Sequence, residues 1–179
     1  EWSAKLAYVY NLAADMKLEF GADYLDKSRD TSLYEQEREY EAGDPIPPFG
    51  DLEAVAGGVN TIEEKRLDPY VMLSGKTGAL NWELGVRYET TDIDVKDATA
   101  PAGFETTSTD YDEFLPSMSL KYSLTDDDRL LFSAGRTLRR PSFNYISPAQ
   151  LEGEYGDLGF QGDPTLEAEK AWGVDVGYE

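Results

Sequence analysis

From Leu80 to Thr90 apolar and polar side chains take turns along the chain. Leu80, Trp82, Leu84, Val86 and Tyr88 fall on one side, and Asn81, Glu83, Gly85, Arg87 and Glu89 on the other. Successive strand residues point to opposite faces, so a period of two predicts a strand with one oily and one wet face. The same alternation recurs in Trp2 to Leu12, Leu18 to Tyr24, Phe114 to Tyr122 and Trp172 to Tyr178. Two further runs are less regular. Leu67 to Thr77 reads best with Leu67, Val71 and Leu73 outward and Asp68, Ser74 and Lys76 inward. Across Arg129 to Leu138, the order of Leu130, Leu131, Phe132 and Arg136 favours neither register. These five clear and two weaker runs predict seven strands.

The connections carry as much information as the strands. Ala13–Asp15, Gly75–Gly78 and Thr125–Asp128 read as tight turns, and the stretches of about Asp30–Glu64, Asp94–Asp110 and Arg140–Glu169 as long polar connections. Short and long alternate strictly, which in a meander puts all tight turns on one rim and all long connections on the other. Outer-membrane barrels have that asymmetry, whereas a β-sandwich mixes loop lengths at both ends. The expected fold is therefore all-β: an antiparallel up-and-down meander forming a segment of a large transmembrane β-barrel. Trp2, Tyr10, Tyr24, Trp82, Tyr88, Tyr122, Trp172 and Tyr178 fall near the ends of the outward rows, where aromatic belts meet lipid headgroups. The alternative is that they cap a soluble core. The small inward residues Gly21, Gly85, Gly173 and Gly177 suit a lumen filled by something else. A soluble sandwich would expose the same rows, so alternation leaves both architectures open. Seven strands are too few and of the wrong parity to close a single-chain barrel, so a lone segment would keep two open edges.

Composition narrows the function. Only 40% of residues are apolar and mean hydropathy is −0.54, and no apolar run approaches the roughly 18 residues of a membrane helix. That excludes a helical membrane protein but not a barrel, whose strands are only half apolar. The net charge is −20, from 36 acidic and 16 basic residues, which argues against nucleic acid as a partner. The acids form either a solvated surface or loops that gather cations. Cysteine and histidine are both absent, so neither a thiolate or imidazole metal site nor a Ser–His or Cys–His nucleophile is available. There is no P-loop or dinucleotide fingerprint. No enzymatic activity, cofactor or metal is expected. The chain opens on Glu1 without a start methionine or signal peptide, and reads as an internal piece or a mature chain.

The last third holds the most specific motifs. Arg129-Leu130-Leu131-Phe132-Ser133-Ala134-Gly135-Arg136-Thr137-Leu138-Arg139-Arg140-Pro141-Ser142-Phe143 is followed, after a gap, by Gly162-Asp163-Pro164-Thr165-Leu166-Glu167-Ala168-Glu169 and a closing strand. Together they resemble the late-barrel signature of TonB-dependent receptors. In that family an Arg-Thr-Leu-x-Arg-Pro-like run ends one strand and a Gly-Asn-Pro-x-Leu-x-Pro-Glu-like run leads into the next. Asp163 stands where Asn is usual and Ala168 where Pro is usual. Upstream, Leu84-Gly85-Val86-Arg87-Tyr88-Glu89-Thr90-Thr91 and Phe114-Leu115-Pro116-Ser117-Met118 resemble the family's two preceding strands. Pro141 cannot donate to a ladder and ends its strand, and Asp163-Pro164 makes a turn that returns the chain to the wall.

The resemblance implies a receptor in the outer membrane of a Gram-negative bacterium. Its barrel lies in outer-membrane lipid, and its outer connections capture a scarce small-molecule ligand. Import is driven through the TonB complex, recruited by a TonB box ahead of an internal plug. Plug, recruiting segment and final barrel strands are expected to lie outside residues 1–179. The ligand class it implies first is a siderophore–iron chelate, then a corrinoid or an oligosaccharide. The ligand contacts to consider are Arg136, Arg139, Arg140, Phe143 and Tyr145 near the outer rim, where guanidinium forks suit carboxylate or catecholate groups. The alternative for the arginines is pairing with the acids of the lumen. The alternative functions are a passive porin-like channel segment and a soluble β-sandwich module that binds carbohydrate.

Overall fold

In the computed structural model, which describes residues 1–36, 38, 43, 45–151 and 159–179, the chain forms one long meander. Its strands are β1 (Trp2–Ala13), β2 (Met16–Glu35), β3 (Glu53–Thr77), β4 (Leu80–Asp97), β5 (Thr106–Ser123) and β6 (Arg129–Arg139), closed by β9 (Glu169–Tyr178). All seven are antiparallel to their neighbours in the order β1-β2-β3-β4-β5-β6-β9, and β1 and β9 are the open edges. Between β6 and β9 lie a single helical turn α1 (Phe143–Ile146) and a two-stranded pair, β7 (Gln150–Leu151) with β8 (Phe160–Gln161). One meander sheet, with no second large sheet against it among the described residues, is the expected barrel segment, and the sandwich alternative falls with it.

Register turns the sequence alternation into two faces. One row runs Tyr10–Leu18–Leu73–Leu84–Met118–Ala134–Val174, one apolar residue from each strand. The row beside it on the opposite face runs Asn11–Lys17–Ser74–Glu83–Ser119–Ser133–Asp175, all polar. The apolar face lies open: Leu6, Phe20, Val71, Leu84, Phe114 and Val176 are all exposed. Trp82 and Tyr122 stand towards the tight turns. Tyr24, Tyr88 and Phe114 stand towards the other rim, and Trp2 meets Tyr24 edge-on with ring centroids 5.2 Å apart. Such bands suit the two headgroup levels. The unsettled β6 register is resolved by its neighbours, which align Phe132 with Leu120 and Val176 on the apolar face.

The strands run much further than the alternation suggested. β3 has 25 residues, where a tilted strand needs only about 9–11 to cross a bilayer. β4 continues to Asp97 and β5 begins at Thr106, so the expected connection Asp94–Asp110 shrinks to residues 98–105. The expected connection Asp30–Glu64 is ladder at both ends, from Asp30↔Thr61 to Glu35↔Glu53. Parts of the expected long connections, at residues 37, 39–42, 44 and 152–158, lie outside the described residues. The tight turns are Ala14–Asp15, Gly78–Ala79 and Leu124–Asp128, and Gly75, placed in a turn by sequence, pairs with Trp82 in the ladder.

The extensions were hidden because the apolar face changes sides with no bulge. Within β3 and β4 the outward row holds Val71 and Leu73 beside Val86 and Leu84. Beyond Leu67↔Thr90 it holds Lys65, Glu63 and Thr61 beside Asp92, Asp94 and Lys96. Over the same stretch the inward row becomes Ile62, Ile93 and Val95, all nearly fully buried with Tyr111 of β5. Outside the bilayer the outer face meets water, so charge belongs there, and the apolar side chains pack inside instead. Alternation continues with inverted phase, and a fixed-phase reading sees it as irregular.

Candidate functional site

The described parts of the last connection, residues 140–151 and 159–168, fold inward over the inverted face. Pro141 ends β6, and α1 follows at once, with Ser147 N donating to Phe143 O (3.0 Å). Phe143 and Ile146 sink into a cluster with Ile62, Ile93, Val95, Tyr111 and Ala168, against which Leu138 packs. β2 grips the same turn: Arg29 donates to Asn144 Oδ1 and to Phe143 O, both at 2.7 Å. Lys27 Nζ lies 4.1 Å from the centroid of the Phe143 ring, near enough for a cation–π contact.

Two glycines permit this close seating. A Cβ on Gly57, whose φ is +68°, would lie 2.1 Å from Pro148 O, and one on Gly162 would lie 2.4 Å from Ser147 O. No other side chain fits either contact without moving backbone. Asp163 N donates to Tyr145 O (2.7 Å), and Asp163 Oδ1 accepts from Thr165 Oγ1 (2.7 Å) and Thr165 N (2.8 Å). Those bonds from Thr165, the hydroxyl first, hold the Asp163 carboxyl below its ordinary value. The Asp163-Pro164 turn is thus a side-chain-mimicked turn that aims Leu166–Glu169 at β6.

Below this connection an ionic band crosses the inner face. Arg87 Nη1 lies 2.9 Å from Asp23 Oδ2 and 3.4 Å from Asp68 Oδ2, and Arg66 Nε lies 3.1 Å from the same Asp68 oxygen. Glu89 and Glu113 are directly opposite each other on β4 and β5 and both are buried. Arg140 pairs with Glu89. Arg136 (2.8 Å) and Lys170 pair with Glu113. Two like charges side by side would repel; three cations from β6, its end and β9 offset them. The β5–β6 ladder stops at Ser117↔Gly135, beside Pro116, which has no N–H to donate. Arg136 Nη1 donates across the break to Phe114 O (3.1 Å).

The five candidate residues therefore divide. Arg136 and Arg140 have acidic partners in the lumen, and Phe143 is buried under the connection. Arg139 is different: its side chain is 82% exposed, and among the described residues its ion pair is with the equally open Glu169, 3.8 Å away. Arg139, one side of Arg140 and the exposed Tyr145 line a groove of ≈ 580 Å³ with Pro141, Ser142, Leu166, Glu167 and Glu169. Tyr145 also meets Phe160 edge-on with centroids 6.1 Å apart. Leu166, Glu167 and Glu169 belong to the motif read from the sequence but were not among its expected ligand contacts; the signal for their placement was the Asp163-Pro164 turn that delivers them. Among the described residues no three acidic side chains are arranged to hold a metal ion. The model of one protein family, described as TonB dependent receptor-like, beta-barrel, matches residues 1–179.

Proposed function

The chain belongs to the TonB-dependent receptor β-barrel family, and from that premise we propose that it serves the capture and import of a siderophore–iron chelate. Proteins of this family reside in the Gram-negative outer membrane and act in transport, taking small molecules across with the TonB complex. Membership sets aside the passive channel and the soluble carbohydrate module. The long connections face the cell exterior and the tight turns the periplasm.

The chelate reading rests on the groove at the outer rim. Arg139 is the cation there with its side chain in water, beside an exposed aromatic face. A guanidinium fork recognises carboxylate or catecholate oxygens in pairs, and Tyr145 offers a flat surface for the organic part of a chelate. The chain offers no imidazole or thiolate and its described acids are not grouped to hold a metal ion, which suits iron that arrives already chelated. Glu169 competes with such a ligand for Arg139. The full-length receptor, expressed in cells lacking their own receptors, is tested for uptake of iron-55 bound to carboxylate and catecholate chelators. Cyanocobalamin and a neutral oligosaccharide serve as comparison ligands. Arg139→Ala is expected to weaken chelate binding roughly tenfold, the worth of one charge-assisted hydrogen bond, and Glu169→Gln to strengthen it. Import confined to the corrinoid or the oligosaccharide would overturn the reading.

A further inference from the structure

β5 rises beyond the strand beside it, and the parity of its ladder shows where its backbone groups point. Ser123 N donates to Ala79 O (3.0 Å) at one end of the β4–β5 pairing, and Asp97 N to Glu105 O (2.8 Å) at the other. Hydrogen-bonded pairs recur at every second residue of an antiparallel ladder. The odd-numbered residues of β5 therefore bond to β4, and the even-numbered ones turn their N–H and C=O groups towards β6. That strand meets them only as far as Ser117↔Gly135. Above Pro116, Phe114 O accepts from Arg136. Among the described residues nothing bonds to the backbone groups that Asp112, Asp110, Ser108 and Thr106 turn to that side. Thr106 to Asp112 is about 20 Å of free edge at ~3.4 Å per residue, room for one strand of ordinary length. It stands above the level where the outward row turns polar, so water satisfies these groups when the edge is empty.

We propose that this edge of β5 takes on a basic, extended peptide segment from outside the cell as an additional strand. The charge along the edge selects the occupant. Asp92 and Asp110 are directly opposite each other on β4 and β5, and both are exposed on the outward face. The same two strands hold a second opposed acid pair on the inner face, Glu89 and Glu113. There the cations come from β6, its end and β9, as Arg136, Arg140 and Lys170. Among the described residues, Asp92, Asp110 and Asp112 have no cationic partner. An added strand sets its outward side chains opposite Asp110 and Asp112, about 4.5–5.5 Å away at Cβ, where opposite charge stabilises and like charge does not. Lysine or arginine at every second position is the matching pattern. Backbone pairing then supplies affinity and the alternate side chains supply selection. A second copy of this chain does not fit, because antiparallel self-pairing of the edge sets acids against acids. None of these β5 residues lines the groove at Arg139, so the surface is separate from chelate capture.

The test uses the full-length receptor in phosphatidylcholine vesicles, whose lipid carries no net charge to attract cations. The probe is a fluorescent peptide alternating lysine and threonine, followed by anisotropy, with amide hydrogen exchange read across Thr106–Phe114. Two comparison peptides replace lysine by glutamate or carry methyl groups on every backbone nitrogen. The lysine peptide is expected to bind and to slow exchange at Ser108, Asp110 and Asp112, and the methylated copy to bind roughly tenfold more weakly, the worth of one to two net hydrogen bonds. Asp110→Pro removes an edge N–H that the β4 ladder does not use, so it should weaken binding similarly while the fold stands. Asp110→Lys together with Asp112→Lys should transfer the preference to the glutamate peptide. No binding, or equal binding of the methylated copy, which would be charge attraction alone, would overturn the proposal. So would an unchanged preference after charge reversal, or edge amides already protected before any peptide is added, which would show that the receptor's own chain covers the edge.

Discussion

Val86 lies close to the middle of the bilayer, and replacing it by arginine tests the assignment of faces most directly. The run Leu80–Thr90 extends from the tight-turn rim to the point where the outward row turns polar. Eleven residues at about 3.3 Å each, tilted about 45°, span ~25 Å of height, the thickness of a barrel's apolar band. Val86 is one residue from the centre of that run, about 2 Å from the midplane on the same figures. Its row runs Tyr8–Phe20–Val71–Val86–Pro116, so an arginine there has only apolar neighbours. The cost at this depth is ~2–4 kcal/mol, or roughly 30-fold to nearly 1,000-fold in the folding equilibrium. Ser133→Arg, three register positions nearer the tight turns on the inner face and beside Asp175, should cost less than ~1 kcal/mol. Asp94→Arg, on the outward face above the phase change, should cost ~0–1 kcal/mol. The measurement is guanidinium unfolding of the full-length receptor from phospholipid vesicles, followed by tryptophan emission. Equal destabilisation by all three changes, or a smaller effect at Val86 than at Asp94, would refute both the faces and the position of the boundary.

Three further outcomes follow from the outer half. Ile146→Ala should destabilise by ~2–5 kcal/mol if the cluster around the fully buried Ile62 is a packed core, and amide exchange across Ser142–Ala149 should speed up while the membrane strands stay protected. Glu89→Ala leaves Arg140 unpaired and should cost about 3 kcal/mol, the low end for a broken buried pair because Arg140 keeps 27% of its side chain exposed; an effect as small as that of a surface pair would show that water already screens it. Asp163 is a depressed carboxyl, so its contribution is complete above the ordinary value of 3.8 and disappears as pH falls through its lower folded value. Limited proteolysis within Gly162–Ala168 should therefore stay slow from neutral pH to about 4 and accelerate only in stronger acid, while Asp163→Ala should be cut readily at neutral pH.

The membrane-spanning part was legible in the chain because its two solvents differ. Lipid outside and polar lumen inside force a period of two, so Leu80–Thr90 announced its strand, its faces and its belt residues without help. The motifs around Arg136–Arg140 and Gly162–Glu169 pointed to the family on the same local basis. Beyond the outer boundary the chain kept its strands but exchanged its faces. Ile62, Ile93 and Val95 are local neighbours of charged residues, and only the packing of Phe143 and Ile146 from more than forty positions away makes them a core. Sequence grouped Arg136, Arg139 and Arg140 by adjacency. Tertiary structure separated them, because Glu113 and Glu89 come from other strands and reach Arg136 and Arg140 but leave Arg139 in water. Which face a strand buries can be read wherever the solvent imposes it. Which charge is matched depends on partners brought together across strands, and that only the sheet register and the inward fold of the last connection decide.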